Sequence, residues 1–490
     1  MQALREITGA LFFCINAGSP TTLREGTEEG WDVWDPLTAS RILTALTLSF
    51  HILFATIGVG VPLYIALAEW RAMQIGDRDL SRTAYRWGKG YAVTVALGVV
   101  TGTSIGLFLN LLWPPFMALA GQTIALPLFL ETFAFFLEAI FLGLYLYTWR
   151  EDGPPLRNTL YAAVIALGAS ASAFFITSVN AFMNTPAGAR ITAEGTLDVH
   201  PVQAMFSPAT ATKTVHVLLS AYFASAFVLA ALSAYELRRD PRDTRAAKAL
   251  RLAMQGALLF GVGTVLSGDF SGKFLAAYQP EKLAAAEWHF TTQGAAPLRL
   301  FGLWEDGTVR YALTIPYGLS VLAKGTPSAV VTGLDAFPPE DRPPLVVHYF
   351  FDLMVVFGFL LLALAVYYWW RVWRTRSTGQ EEEVAASRLP AWFFPALFAA
   401  ALLSLVTVEL GWYFAEMGRL PWIVRGIARV GETATENPAV SWLVYVFLAL
   451  YVLLTAIAVR VLAAIYGSEG PETAFRRLFG GLRGGESHGS

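Results

Sequence analysis

Nine stretches of this chain are apolar for long enough to cross a bilayer, and this settles the fold class before any other feature. A spanning helix needs about 20 predominantly apolar residues, and such stretches lie at 40–69, 89–114, 124–149, 157–182, 213–237, 249–267, 345–371, 390–416 and 440–466. Hydrocarbon offers backbone N–H and C=O groups no partner, so runs of this length fold as helices. The expected structure is an all-α polytopic membrane protein with nine transmembrane helices. Composition agrees: charged residues make up 15% of the chain, against about 25% for a soluble domain. The net charge of −2 excludes a large nucleic-acid surface. A single cysteine, Cys14, excludes a disulfide framework and a multi-cysteine metal site.

The spans divide the chain into an N-terminal extension (1–37), spans one to six (38–267), a long polar segment (268–344), spans seven to nine (345–470) and a tail (471–490). No period of 20 to 50 residues recurs, which excludes a repeat array. Loop charge predicts orientation. Arg71, Arg78, Arg82 and Arg86 follow span one, Arg150 and Arg157 span three, and Arg238, Arg239, Arg242, Arg245 and Lys248 span five. Arg371, Arg374, Arg376 and Arg388 follow span seven, and Arg476, Arg477 and Arg483 lie in the tail. The intervening loops are poor in both residues, so the N-terminus is expected outside, the C-terminus inside, and the segment 268–344 outside.

Ionisable residues inside a membrane are functional candidates by default. His51 lies in span one, Glu131 and Glu138 lie seven apart on span three, and His216 opens span five. Met354 is near the outer start of span seven, and Glu409 and Glu416 lie seven apart at the outer end of span eight. A seven-residue spacing puts both members of each glutamate pair on one helix face. Singly, each has a bland explanation: a packed histidine, a core methionine, a glutamate pairing with Arg419, or His348 as a residue of the membrane interface. Their shared depth argues for more, since neutral imidazole and thioether are a soft axial pair for haem iron.

Several separate stretches then give the sequence a recognisable character: "LSFHILFATIGVGVPLYIALAEW", "RWGKGYAVTVALGVVTG", "LFLETFAFFLEAIFLGLY", "SVNAFMNTPAG", "KTVHVLLSAY", "LSGDFSG", "EKLAAAEW", "HYFFDLMVVFGFLLL" and "ELGWYFAEMGRLPW". In this order, over about residues 40 to 470, they resemble subunit I of the cytochrome bd-type quinol oxidases. The resemblance implies three haems: a low-spin haem b, a high-spin haem b, and a haem d or a third haem b where oxygen is reduced. His216 and Met354 match the axial pair of the low-spin haem. His51 and Glu416 match the residues that serve the two remaining haems. Lys282 and Glu287 match the pair associated with quinol oxidation, which makes 268–344 a quinol-binding loop. Glu131 and Glu138 match carboxylates that feed protons, with Thr101, Ser104, Ser170 and Ser172 as supporting hydroxyls. Trp412 would lie against the haem rings, Glu409 would relay protons or orient its neighbour, and Arg419 and Trp422 would bind haem propionates, a task suited to guanidinium. Family members generally place an arginine two residues before the axial methionine, where this chain has Asp352; an anion there would lower the potential of the nearby iron.

The implied activity is a terminal respiratory oxidase of a prokaryotic cytoplasmic membrane. It would oxidise quinol at the outer face and reduce O2 to water with protons from the inside, building a proton-motive force without a pump. The implied partners are a second membrane subunit of the subunit II type and a small single-helix subunit. A haem–copper oxidase would need about six ligand histidines, and the chain has six in all, few of them in spans. A membrane cytochrome b that passes quinol electrons onward without reducing O2 is the alternative. It would leave His51 and Glu416 unexplained as solitary ligands. A proton-coupled transporter would not explain His216, Met354 and the lysine–glutamate loop together.

Overall fold

The computed structural model describes residues 34–192, 197–305, 308–376 and 389–467. Nearly all of the N-terminal extension, the whole tail, Cys14 and the orientation-setting Arg388, Arg476, Arg477 and Arg483 lie outside the described residues. Nine helices among the described residues are long and apolar enough to span: α1 (Pro36–Ile75), α2 (Arg78–Leu112), α3 (Pro114–Thr148), α4 (Pro155–Asn184), α6 (Thr210–Arg239), α7 (Thr244–Tyr278), α10 (Val347–Arg376), α11 (Phe393–Met417) and α12 (Val440–Tyr466). Shorter elements lie between them: hairpin β1 (Ala189–Ile191) with β2 (Leu197–Val199), then α5 (Pro201–Met205) and α8 (Pro280–Ala286). Strands β3 (Leu298–Leu300), β4 (Leu303–Glu305), β5 (Thr308–Arg310) and β6 (Leu313–Ile315) follow, with α9 (Gly318–Lys324), and later β7 (Trp422–Val424) and β8 (Ala428–Arg429). Every strand pair is antiparallel: β1 with β2, β3 with β6, β4 with β5, and β7 with β8.

The number of spans is as the sequence predicts, but several helices overrun their apolar windows. α7 continues to Tyr278, so "LSGDFSG" is helical and the polar segment begins at 279 rather than 268. Polar residues end a hydrophobic run without ending a helix, whose backbone bonds stay satisfied in water. What stops α7 is Pro280, which disfavours helical geometry in the residue before it. α2 starts at Arg78 rather than 89 because the side chain of Asp77 caps it, accepting from the N–H groups of Asp79 and Leu80. α3 starts at Pro114 rather than 124, with proline at the first position, where its missing N–H is harmless. Gly76, at φ 68°, makes the turn between α1 and α2 in the left-handed region that suits glycine.

α4 and α6 sit centrally, with half of their apolar windows buried, against 17% for α12 at the periphery. α6 packs on α1, α4, α7 and α11, and α10 packs on α7 and α11. Because the spans alternate, the connections 185–209, 279–346 and 418–439 all emerge at one end, called the loop end below. A buried apolar cluster of Leu275, Leu283, Val347, Phe350 and Phe414 fastens α8 to α7, α10 and α11 there. At the opposite end, Arg86 pairs with Glu236, Arg245 pairs with Glu236 at 3.3 Å, and Lys248 pairs with Asp77 at 2.8 Å, linking α2 and its cap to α6 and α7.

Candidate functional site

His51 and His216 each present one defined ring nitrogen. His51 Nδ1 lies 2.8 Å from Thr101 Oγ1, whose hydroxyl donates to the Leu97 carbonyl at 2.8 Å. With its proton committed, that hydroxyl accepts from Nδ1–H, and Nε2 keeps its lone pair. The same logic holds for His216: Nδ1 is 3.0 Å from Ser267 Oγ, which donates to the Thr264 carbonyl at 3.0 Å. Fixing the tautomer through the other nitrogen is what metal-bound imidazoles commonly show.

Glycine faces each of these groups. A Cβ on Gly102 would come within 3.3 Å of His51 Cε1, one on Gly268 within 3.5 Å of His216 Cε1, and one on Gly411 within 3.0 Å of Met354 Sδ. Space beside each of these three side chains is therefore kept clear by a missing one. The donor set, soft or neutral with fixed tautomers and open flanks, fits haem. Among the described residues no cluster of three His, Cys, Asp or Glu could hold a bare metal ion.

Glu416 has a different setting. Asn180 Nδ2 donates to its Oε1, and Arg419 Nη2 donates to Oε2 at 2.7 Å. Lys213 Nζ donates to Asn180 Oδ1 at 2.6 Å. Three cations, Lys213, Lys282 and Arg419, thus surround one carboxylate, and Arg419 Nη1 is buried without a hydrogen-bond partner. A surplus of buried positive charge with an unspent guanidinium nitrogen suits the carboxylates of a haem. Of the two Glu416 partners weighed from sequence, the Arg419 pair is present. Each carboxylate oxygen retains a second lone pair for iron. Trp412 is half-buried, and Glu409 Oε1 is buried without a partner. The Trp422 carbonyl accepts from Arg419 Nε at 3.3 Å, and its ring lies under Arg429 at 4.7 Å.

Lys282 and Glu287 do not form the cation–anion pair that their proximity in sequence suggests. Five residues is about 140° around a helix, so the two point to different sides of α8. Lys282 Nζ donates to the Ala415 carbonyl at 2.8 Å and to Asn184 Oδ1 at 3.4 Å, over the ring of Phe414. Burial, with Arg419 nearby, pushes its pKa down to about 7. Glu287 is buried with Oε2 unpartnered, and burial, helped by the charge of Asp352, pushes its pKa up to about 8.

Glu131 and Glu138 line one side of α3. Ser172 Oγ donates to Glu131 at 2.8 Å, and the Tyr91 hydroxyl donates to Glu138. Glu138 lies nearer the opposite end than the other candidates, about 10 Å along the helix from Glu131. Of the remaining hydroxyls, Ser170 meets Tyr222 at 2.8 Å, Thr101 serves His51, and Ser104 donates to its own helix at Val100. Asn180, Asn184, Lys213, Tyr91 and Ser267 belong to the site and were not singled out from sequence. Lys213, a lysine three residues before His216 at a span entrance, was the signal available for one of them.

A family model described as cytochrome bd terminal oxidase subunit I matches residues 39–469. The chain belongs to this family. A putative cytochrome bd menaquinol oxidase subunit I of Bacillus subtilis (strain 168) is 38% identical over 434 residues, 87% of this chain and 96% of the relative. A cytochrome bd-II ubiquinol oxidase subunit 1 of Escherichia coli (strain K12) is 31% identical over 64% of this chain and 62% of the relative. The solved structure of bd oxidase from Geobacillus thermodenitrificans aligns with a TM-score of 0.83 at 50% identity, covering 89% of this chain and 99% of that chain. The family, the fold and the enzyme class read from the sequence are borne out. As a cytochrome bd subunit I, the chain is part of a haem-bearing, multi-pass quinol:oxygen oxidoreductase, and the family implies a subunit II partner. The alternative of a cytochrome b that leaves O2 alone gives way to this match.

Proposed function

We propose that this subunit oxidises quinol at its loop end, facing outside, releases the protons there, and draws protons for O2 reduction from the opposite, inner side. His216 and Met354 hold a low-spin haem b. His51 serves one of the two remaining haems, a high-spin haem b and a haem d or third haem b, and Glu416 serves the other. The bound haems supply electron transfer and the reduction of oxygen. The observation that supports this best is the shared tautomer of His51 and His216, each with Nδ1–H given to a hydroxyl and Nε2 left to a metal.

The chain's own groups do the rest. Glu287, a buried carboxyl with an unpartnered oxygen, takes the proton of a quinol hydroxyl. Lys282 holds α8 against the ends of α11 and α4 through Ala415 and Asn184, so its part in quinol oxidation is to place that helix. Tyr91, Glu138, Ser172 and Glu131 line the inward half of a proton route, and Glu409 with its unpartnered oxygen extends it toward Glu416. Arg419, Lys213 and Trp422 would hold haem propionates, and Trp412 would flank the group. Subunit II and a small single-helix subunit complete the assembly, in a prokaryotic cytoplasmic membrane. Reduced-minus-oxidised spectra with haem extraction test the ligand set. His216→Ala and Met354→Leu should each abolish the low-spin haem b signal while the other haems stay bound. An intact low-spin signal in both would end the assignment.

A further inference from the structure

The turn that carries Glu287 is gripped on both sides by one buried ring, that of His348 at the start of α10. His348 is fully buried. Its Nδ1 lies 2.6 Å from the carbonyl of Ala286, the residue before Glu287. Its ring stacks on Trp288, the residue after, with centroids 4.1 Å apart and planes 20° apart. Its Nε2 lies 3.1 Å from the Phe301 carbonyl and 3.4 Å from Asp352 Oδ2. Carbonyl oxygens only accept, so the ring faces backbone acceptors from two separate segments, with the Asp352 carboxyl beside Nε2.

The grip is itself braced. Trp288 Nε1 donates to the Leu345 carbonyl at 2.9 Å, and the Trp288 carbonyl accepts from Arg299 Nη1 at 2.8 Å. Phe301 offers its carbonyl to His348 and its N–H to Asp352. Trp288 (φ 44°) and Phe301 (φ 56°) both sit in the left-handed region, which non-glycine residues hold only where their surroundings fix them. The titratable and charged groups around the ring are Asp352 and Tyr349 from its own helix, Glu287 from the α8 turn, and Arg299 from β3 beyond Trp288.

We propose that His348 is a positioning residue for quinol oxidation: its buried ring fixes the turn that carries Glu287 and ties that turn to the helix bearing Met354. This rests on the assignment of Glu287 as the group that takes the quinol proton.

The test uses the assembled oxidase. His348→Phe keeps a ring against Trp288 and removes its polar contacts, while His348→Gln keeps N–H donors without the stack. Quinol oxidation is measured across pH beside oxygen uptake driven by an artificial one-electron donor. His348→Phe should lower kcat with quinol by about tenfold or more and leave donor-driven uptake within about twofold. The acidic limb of its quinol profile should move to lower pH, because a turn released from the ring lets water reach a carboxyl that burial holds protonated. His348→Gln should recover part of the rate. Unchanged quinol turnover with an unmoved limb overturns the proposal, as does equal loss with both donors. Failure of both variants to assemble overturns it too, by marking the residue as purely structural. Glu287→Gln is run alongside: if it keeps quinol turnover, the assignment of Glu287 falls, whereas loss there with none in the His348 variants removes only the role of His348.

Discussion

Glu416 and Glu287 are both acidic side chains at the loop end, and their surroundings are opposites. Glu416 has a donor on each oxygen and three cations around it. Glu287 has an unpartnered buried oxygen and another acid, Asp352, as its electrostatic neighbour. Lys282, which the sequence suggests should serve Glu287, instead bonds the carbonyl of Ala415, the residue before Glu416. One environment gathers positive charge around a fixed anion, as needed to hold a charged cofactor. The other withholds compensation, as needed by a group that gains and loses a proton near neutral pH.

The largest effect that would break this contrast comes from Glu416→Gln. It removes the carboxylate that Asn180 and Arg419 bond and should eliminate a high-spin haem band while the haem assigned to His216 and Met354 stays intact. Arg419→Gln should weaken haem retention by about tenfold. Full haem content and oxygen uptake in both variants would reduce Glu416 to a partner of Arg419.

Next, Glu287→Gln should slow quinol oxidation by about a hundredfold and spare uptake driven by an artificial donor. Comparable loss with both donors would contradict its proton-accepting role.

The pH profile should then locate the same group without mutation. A base must be deprotonated to act, and with a pKa pushed up to about 8, quinol turnover should rise as pH climbs toward that value. Below it, the rate should fall by about tenfold per unit. A flat profile between pH 6 and pH 8 on this chain, roughly the range where such a base titrates, would count against Glu287.

The smallest effect sharpens the comparison. Lys282→Met keeps the aliphatic stem against Gly418 and Phe414 and drops the bonds to Ala415 and Asn184. It should lower thermal stability by about 1–3 kcal/mol and leave the acidic limb in place. A limb that moves by about a full unit, about 1.4 kcal/mol of coupling, would mean that Lys282 and Glu287 are linked after all.

What the sequence makes legible follows from what each signal measures. Hydropathy reports contact with lipid, so it yields nine spans but not the helix ends, which are set by Asp77, Pro114 and Pro280 outside the apolar runs. Ionisable residues in spans stand out against that background, which brings His51, His216, Glu131, Glu138, Glu409 and Glu416 into view. Their partners do not. Thr101 and Ser267 look like any packing hydroxyl, and only three-dimensional proximity shows which imidazole each one orients. Spacing also misleads when the period is wrong: Lys282 and Glu287 are near in sequence and on different sides of a short helix.

A final consequence lies in how α1 meets α6. A Cβ at Gly60 would fall 2.1 Å from Ser225 Oγ and 2.5 Å from the Ala221 carbonyl, and Ser225 Oγ donates to the Thr56 carbonyl at 3.3 Å. The two backbones therefore touch at this point. Gly60 lies nine residues past His51, and Ser225 nine past His216, about 14 Å along each helix. Alternation of the spans makes the two helices parallel, so the contact is a fulcrum with arms of equal length, one histidine at the tip of each. Sliding is blocked at the pivot, and the gap between the two tips is governed by the angle of the crossing alone. A single missing methyl group thereby sets the spacing of two residues more than two helical turns away.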